Sequence, residues 1–335
     1  MPSAASQSAA DAPPDQADFP DWLDPMMVKE LRQGLRARWF VVPFLAVQAA
    51  AAGLVWMEYW LAKVPGGNPA AVMDGGLYFW LLVHVAAALL LPLRCLGSLG
   101  EELEGGNAGL VLLAGISRWK IALGKWLTQM LLTGLVLLSL LPYGIVRYFF
   151  GGVEFAPNLA ALLNVIGAAA AINALFLGAS GYAHYWMRAA IALAAVAYVA
   201  VLAAAGWWIS FAITQELTGS VVALLFILYM LLGQAAMYLF FTLCGLQLAR
   251  AKLRESFRPW EVPPARPVLV IFFLAPLYFG LGSVVTCGMG WPVLAGLMVW
   301  WVRSIDSSRG PHRRFRTAVH SISRPFSTLP SRVRF

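Results

Sequence analysis

Residues 159–183 read LAALLNVIGAAAAINALFLGASGYA, and this stretch decides the fold. It contains no Asp, Glu, Lys or Arg. It is also longer than the ~20 apolar residues that a helix needs to cross the ~30 Å hydrocarbon core of a bilayer. A transmembrane β-strand would instead alternate apolar and polar residues over about 10 positions, which this stretch does not do. The stretch therefore predicts a membrane-spanning helix.

The composition of the whole chain extends this prediction to the rest of the molecule. Of its 335 residues, 60% are hydrophobic and 12% are charged, and the mean hydropathy is +0.72. An average soluble domain is only about 45–50% apolar, so a soluble enzyme is excluded. We expect an all-α fold, a polytopic bundle of transmembrane helices.

Long apolar runs separated by charged segments predict about eight spans. The last two runs are short and interrupted by Pro and Gly, so they predict either a tight hairpin or a partly re-entrant pair. The predicted spans are Trp39–Leu61, Leu77–Gly97, Ile121–Phe150, Leu159–Ala183, Ala189–Ile213, Val221–Leu248, Val268–Cys287 and Gly290–Val302.

Basic residues predict the orientation of these spans. With eight crossings and the N-terminus inside, all but two of the 24 Lys and Arg residues fall on the cytoplasmic side. The two exceptions are Lys63 and Arg147. This asymmetry follows the positive-inside rule, and a single crossing over residues 268–302 would break it. Both termini are therefore predicted to be cytoplasmic. Topology and attraction to anionic lipids account for the net charge of +8 without a nucleic-acid partner.

The chain divides into six predicted segments. Residues 1–24 carry five Asp but no Lys or Arg, so they predict a disordered tail rather than a signal peptide. The other segments are an interfacial amphipathic helix (25–38), a six-span core (39–250) with a cytoplasmic loop (98–120), a cytoplasmic linker (251–266), a C-terminal two-helix hairpin (267–303) and a basic cytoplasmic tail (304–335).

The segment before the first span predicts an amphipathic helix in the inner interface. Asp24 suits an N-cap and Pro25 the first helical position. Apolar residues then repeat every fourth position, while basic residues take the opposite face. Simple membrane anchoring explains this helix as well as a specific role does. Its polar residues are Lys29, Glu30, Arg32 and Arg36.

The loop between the second and third spans combines acidic residues, a short apolar run and a helix-capping serine. Residues 101–125 read EELEGGNAGLVLLAGISRWKIALGK, in which Ser117 is the expected N-cap of the third span. Such a loop predicts either a docking element or a solvated acidic turn followed by a piece of interfacial helix.

This loop resembles the permease subunits of type-2 ABC exporters. The similarity rests on an acidic-x-x-acidic-Gly pattern, an apolar run and Ser-Arg-x-x-Ile-x-x-Gly-Lys, and the basic helix before the first span is similar as well. The residues that the resemblance assigns to coupling with an ATPase are Glu101, Glu104, Gly105, Ser117 and Arg118. Departures from residues common in the family occur at Gly106, Asn107, Leu110 and Gly115.

The resemblance covers about residues 25–250 and implies a fold, partners and a location. It implies a six-span unit that forms a homo- or heterodimer in the cytoplasmic (inner) membrane and is driven by a separate ATP-binding-cassette ATPase. The final hairpin and the Arg-rich tail lie beyond the usual six-span unit. A non-transporting membrane scaffold and a secondary transporter are the alternatives.

The sequence motifs that suggest an enzyme each lack residues that the chemistry needs. Gly124-Lys125 ends like a phosphate-binding loop, but Trp119 and Trp126 replace its first glycine and its Ser or Thr. Gly178-Ala179-Ser180-Gly181 matches the Gly-x-Ser-Gly of rhomboid-type proteases, yet no His occurs in a later span to act as a base. Small residues at 167, 171, 174, 178 and 181 favour close helix packing instead. We therefore expect no enzyme activity, cofactor or metal.

A few polar residues fall within the predicted spans. For each of them, a hydrogen bond to a neighbouring helix is a simpler explanation than a place in the lining of a transport pathway. His84 is the ionisable one near mid-span, so it is the candidate pathway residue. The set comprises His84, Gln129, Asn164, Asn173 and Gln234.

Overall fold

A computed structural model of the chain describes residues 25–63, 69–104, 118–149, 155–216, 221–257, 265–285 and 290–307. All regular secondary structure in these ranges is helical, which confirms the expected all-α bundle. The predicted tail 1–24, residues 105–117 of the loop, residues 258–264 of the linker and residues 308–335 of the basic tail lie outside the described residues.

The described residues form ten α-helices and one interrupted stretch. The helices are α1 (Pro25–Arg36), α2 (Arg38–Lys63), α3 (Pro69–Val85), α4 (Cys95–Glu104), α5 (Arg118–Phe149), α6 (Phe155–Ser180), α7 (Tyr185–Glu216), α8 (Val221–Phe257), α9 (Ala265–Val285) and α10 (Trp291–Ser307). A π-helical turn (Ala86–Leu90) and a 3-10 turn (Pro92–Arg94) join α3 to α4.

Six helical segments in the described ranges are long and apolar enough to cross a membrane, so the chain is a multi-pass membrane protein. They overlap the first six predicted spans and are Arg38–Trp60, Gly76–Gly100, Arg118–Phe149, Phe155–Ser180, Tyr185–Trp207 and Leu224–Leu253. Helix α9 contains a shorter apolar stretch, Ala265–Phe279. The two helices of the predicted hairpin are present as α9 and α10, and their crossing of the membrane stays a prediction.

Helix α6 is the centre of the bundle, and its small residues face α8. A Cβ atom built on Gly178 would lie 2.7 Å from the carbonyl oxygen of Gly245, and one built on Gly245 would overlap the backbone of Ala174. Gly167 likewise lies against the ring of Tyr238. The prediction that this stripe serves close helix packing is therefore confirmed.

The second span is not the continuous helix that the sequence predicted. The backbone N–H of Leu91 donates to the carbonyl of Ala86 at 3.1 Å, five residues back, and a 3-10 turn follows at Pro92. Proline has no N–H and its ring clashes with the carbonyl four residues earlier, so it interrupts the α-helical hydrogen bonds at this position. The last turns of this span, in α4, are thereby separated from α3.

Contacts among helix ends define two ends of the bundle. The end at which α1, α4 and the start of α5 meet is called the α1 end. The C-terminus of α6 and the start of α7 also lie there, since Gly100 of α4 is close to Ser180 and Arg188. The opposite end, where α2 ends, α3 begins and α5 ends, is called the far end.

Candidate functional site

Helix α1 packs against the bundle along one side. Met27 is buried, and a Cβ built on Gly34 would lie only 2.9 Å from Leu132 Cδ1 of α5. Arg32 and Arg36 are exposed, as the amphipathic pattern predicted. The structure forms this helix over Pro25–Arg36, two residues short of the predicted boundary, whereas the Lys29 side chain lies outside the described residues.

An ion pair joins α1 to α5. Lys125 Nζ lies 2.8 Å from Glu30 Oε1, with the lysine side chain 7% exposed and the glutamate 22% exposed. The same ammonium donates to the carbonyl of Ser98 in α4 at 3.5 Å. A lysine this well buried requires such partners, because an unpaired charge away from water is costly. The Lys125 side chain thus connects α1, α4 and α5.

Arg94, in the 3-10 turn before α4, makes a second contact that strengthens this arrangement. The guanidinium of Arg94 lies 4.2 Å from the ring centroid of Trp39, at the start of α2. This is a cation–π geometry, and Arg94 Nη1 also lies near the position of Gly34 on α1. The interfacial helix is therefore bound to α2, α4 and α5 rather than resting only on lipid.

The structure describes part of the predicted coupling loop. Glu101 and Glu104 lie in the last turn of α4, and Arg118 is half-buried at the first residue of α5. The side chains of both glutamates lie outside the described residues, as do Gly105 and Ser117 entirely. The coupling role of all five residues stays a prediction.

The end of α4 that leads into this loop packs on the turn between α6 and α7. A Cβ on Gly100 would lie 3.2 Å from the carbonyl oxygen of Ser180 and 3.5 Å from Arg188 Nη2. Arg188 Nη2 in turn donates to the carbonyl of Tyr182 at 3.0 Å, and Lys252 Nζ of α8 lies 4.1 Å from the Tyr182 ring centroid. Movement of α4 would therefore reach α6, α7 and α8.

Ser180 occupies a packed position rather than an open site. Its side chain is fully buried, and its hydroxyl donates to the carbonyl of Leu177 in the same helix at 2.7 Å. His184, four residues on, is exposed. The geometry around Ser180 is that of a small residue beneath α4.

His84 lies two residues before the π-helical turn and is buried. Its Nδ1 donates to the carbonyl of Trp80 at 2.9 Å, while its buried Nε2 has no hydrogen-bond partner among the residues described. The ring centroid lies 6.1 Å from that of Trp207 on α7. A π-turn beside a polar residue is a frequent feature of functional sites, so His84 remains the candidate pathway residue.

Two of the other polar residues in the spans, Asn164 and Gln234, connect helices. Asn164 Nδ2 donates to the carbonyl of Ala203 at 3.1 Å, and Tyr238 donates to the Asn164 side-chain oxygen. Gln234 Nε2 donates to the carbonyl of Leu202 at 2.6 Å. These bonds join α6, α7 and α8, so the interhelical role predicted for Asn164 and Gln234 is confirmed.

Sequence reasoning missed a buried ion pair at the far end. Arg147 Nε lies 2.7 Å from Glu58 Oε2, with the two side chains 3% and 4% exposed. The guanidinium also stands 4.7 Å from the ring centroid of Phe79, whereas Glu58 Oε1 is buried and has no hydrogen-bond partner in the part of the chain that the structure describes. A glutamate inside an apolar run was the available signal, because such a residue is expected to have a cationic partner.

Both ends of the bundle thus carry a buried or partly buried ion pair that joins α5 to a preceding helix. Among the described residues, no group of three His, Cys, Asp or Glu side chains is placed to hold a metal ion. Comparison of the chain with protein-family models, curated proteins and solved structures finds no significant match. The function is therefore inferred from the chain's own residues.

Proposed function

We propose that the chain is the membrane-spanning permease subunit of an ATP-driven exporter, powered by a separate ATP-binding subunit. Six helices of spanning length and the resemblance of residues 101–125 to type-2 ABC exporters support this proposal. The α1 end faces the cytoplasm, where the positive-inside rule puts it. Helices α9 and α10 complete eight crossings, and two six-span units assemble as a dimer.

The observation that carries the proposal is the ion pair between Glu30 and Lys125 beside Ser98. It joins the interfacial helix to both helices that flank the loop, α4 and α5. A partner pressing on the loop would therefore move α1, α4 and α5 together, and α4 would pass the displacement to α6 through Gly100 and Ser180. Rigid elements that share packed contacts can transmit displacement in this way.

The loop supplies the docking surface in this proposal. Glu101 and Glu104 offer negative charge at the end of α4, and complementary charge at an interface selects the partner. In a scaffold with no ATPase partner, reversing these charges would have no effect on association.

The test is purification of the tagged protein from its native membranes in mild detergent. We expect a nucleotide-binding polypeptide with ATPase activity to co-purify with the parent and to be lost from Glu101→Lys/Glu104→Lys at matched membrane abundance. The control, Glu154→Lys/Glu216→Lys, makes the same charge change at the residue that precedes α6 in the sequence and at the last residue of α7. Equal association in both variants, or none in the parent, would contradict the proposal.

The ion pair provides a second test within the same complex. Lys125→Glu should reduce ATPase stimulation without releasing the ATPase, because the loop is intact while its connection to α1 is broken. The exchanged variant Glu30→Lys/Lys125→Glu should restore stimulation by re-forming the pair with opposite polarity. Failure of the exchange, with folding intact, would show that the pair does not transmit the movement.

A further inference from the structure

A cavity of about 290 Å³ lies at the far end between α3, α5 and α6. Its wall is almost wholly apolar, and the cavity is partly open; its wall residues Leu141 and Ile145 of α5 and Leu159 of α6 are exposed. All three helices belong to membrane-spanning segments, so the open side faces lipid. Representative wall residues are Phe79, Val83, Leu137, Leu140 and Gly144.

Two polar side chains in the wall are bonded to each other. Trp80 Nε1 donates to Asn158 Oδ1 at 2.9 Å, so the indole and this amide oxygen are already satisfied. These two groups are therefore not free to bind a polar ligand. Because burying an unbonded polar group is costly, the matching ligand is apolar along its length.

The mouth of the cavity carries large exposed aromatic residues. Tyr148 and Phe149 end α5, and Phe155 begins α6; they are 56%, 79% and 72% exposed. Tyrosine concentrates where the hydrocarbon meets the headgroups, and all three residues lie at the ends of spanning segments. The mouth therefore lies at headgroup level, and the cavity extends from it toward the bilayer centre.

Size and polarity select the occupant. Water does not fill an apolar cavity of this kind. An apolar cavity of about 150 Å³ holds one benzene molecule, so about twice that volume suits a chain of roughly a dozen carbons. A flexible hydrocarbon chain therefore matches the size and polarity of the cavity that the described residues form.

We infer that this cavity binds one acyl chain of a phospholipid, whose headgroup stays among the aromatic residues at the mouth. Binding of this kind does not depend on an ATPase, so the inference goes beyond the proposed function and stands or falls separately from it. The acyl chain occupies the space beside Phe79, whose ring lies under the guanidinium of Arg147. The bound lipid would therefore lie directly against the α3–α5 contact.

The test uses the full chain in phosphatidylcholine nanodiscs that contain a small fraction of phosphatidylcholine with a diazirine in mid-chain. After photolysis, mass spectrometry maps the labelled peptides. We expect labelling concentrated on the cavity walls in α3, α5 and the start of α6. Labelling spread evenly over lipid-facing positions such as Leu193 and Val201, which are 73% and 67% exposed, would overturn the inference.

A matched pair of variants sharpens the result. A Cβ on Gly144 meets nothing within 4 Å, so Gly144→Trp should enter the cavity without displacing the backbone. Gly134 lies on the same helix away from the cavity and is equally open, so Gly134→Trp is the control. The cavity label should be lost in the first variant and retained in the second. Retention in both overturns the inference. Should Gly144→Trp fail to fold, the smaller Gly144→Leu replaces it, and the map of the parent protein decides independently.

Discussion

Removing one partner of the buried pair between Glu58 and Arg147 should destabilise the far end of the bundle strongly. In Arg147→Ala the Glu58 carboxylate, 4% exposed, loses the cation that lies 2.7 Å away. Its other oxygen already lacks a hydrogen-bond partner among the described residues, so none of them compensates. The substitution also removes the guanidinium from the Phe79 ring. Breaking a buried pair in this way costs about 3–5 kcal/mol.

The assay is thermal unfolding in detergent micelles followed by tryptophan fluorescence. A loss of this size corresponds to an apparent midpoint roughly 5–10 °C lower for a chain of this length. Lys63→Ala removes an exposed cation at the same end and should leave the midpoint unchanged. Glu58→Leu/Arg147→Leu removes both charges and should recover most of the loss, because a well-packed apolar pair can replace a buried ion pair. An unchanged midpoint for Arg147→Ala would refute the reasoning.

Three further predictions follow from packing and topology. Gly245→Ala should lower stability by about 1–3 kcal/mol, because its Cβ would overlap the α6 backbone, whereas Gly134→Ala, with open space around it, should not; thermal midpoints compare the two. Ser180→Ala should leave expression and stability nearly unchanged, with a cost below about 1 kcal/mol, because only a bond within its own helix is lost; a large midpoint shift would contradict this. In a background without native cysteines, Gly66→Cys should react with an impermeant thiol reagent in intact cells and Ser256→Cys should not; the reverse pattern would overturn the orientation.

Much of the fold could be predicted because the signals are local. An apolar run of sufficient length is enough to identify a spanning helix, so the first six spans overlap the observed helices. The small-residue stripe of α6 was readable from its spacing alone. The π-helical turn at Ala86–Leu90 was not predicted, since hydropathy does not report how the backbone adjusts ahead of Pro92.

The candidate site was harder to predict because its contacts join distant parts of the chain. Glu30 and Lys125 are 95 residues apart, and Glu58 and Arg147 are 89 apart. Which charges meet depends on the rotation and neighbours of each helix, and a single sequence does not specify these. The sequence therefore identified α1 as amphipathic but not its attachment to α5. It also counted Arg147 only as a charge on the non-cytoplasmic side and did not predict that its side chain is buried.

The docking of an ATPase on the loop between α4 and α5 is the central claim, and site-specific photo-crosslinking tests it most directly. A photoreactive amino acid replaces Leu110 in this loop, and the same group replaces Gly66, between α2 and α3, as the control. After irradiation of native membranes, we expect the probe at Leu110 to form an adduct with a nucleotide-binding polypeptide and the probe at Gly66 to form none. Adducts with lipid alone at Leu110, or the same protein adduct at both positions, would contradict the claim.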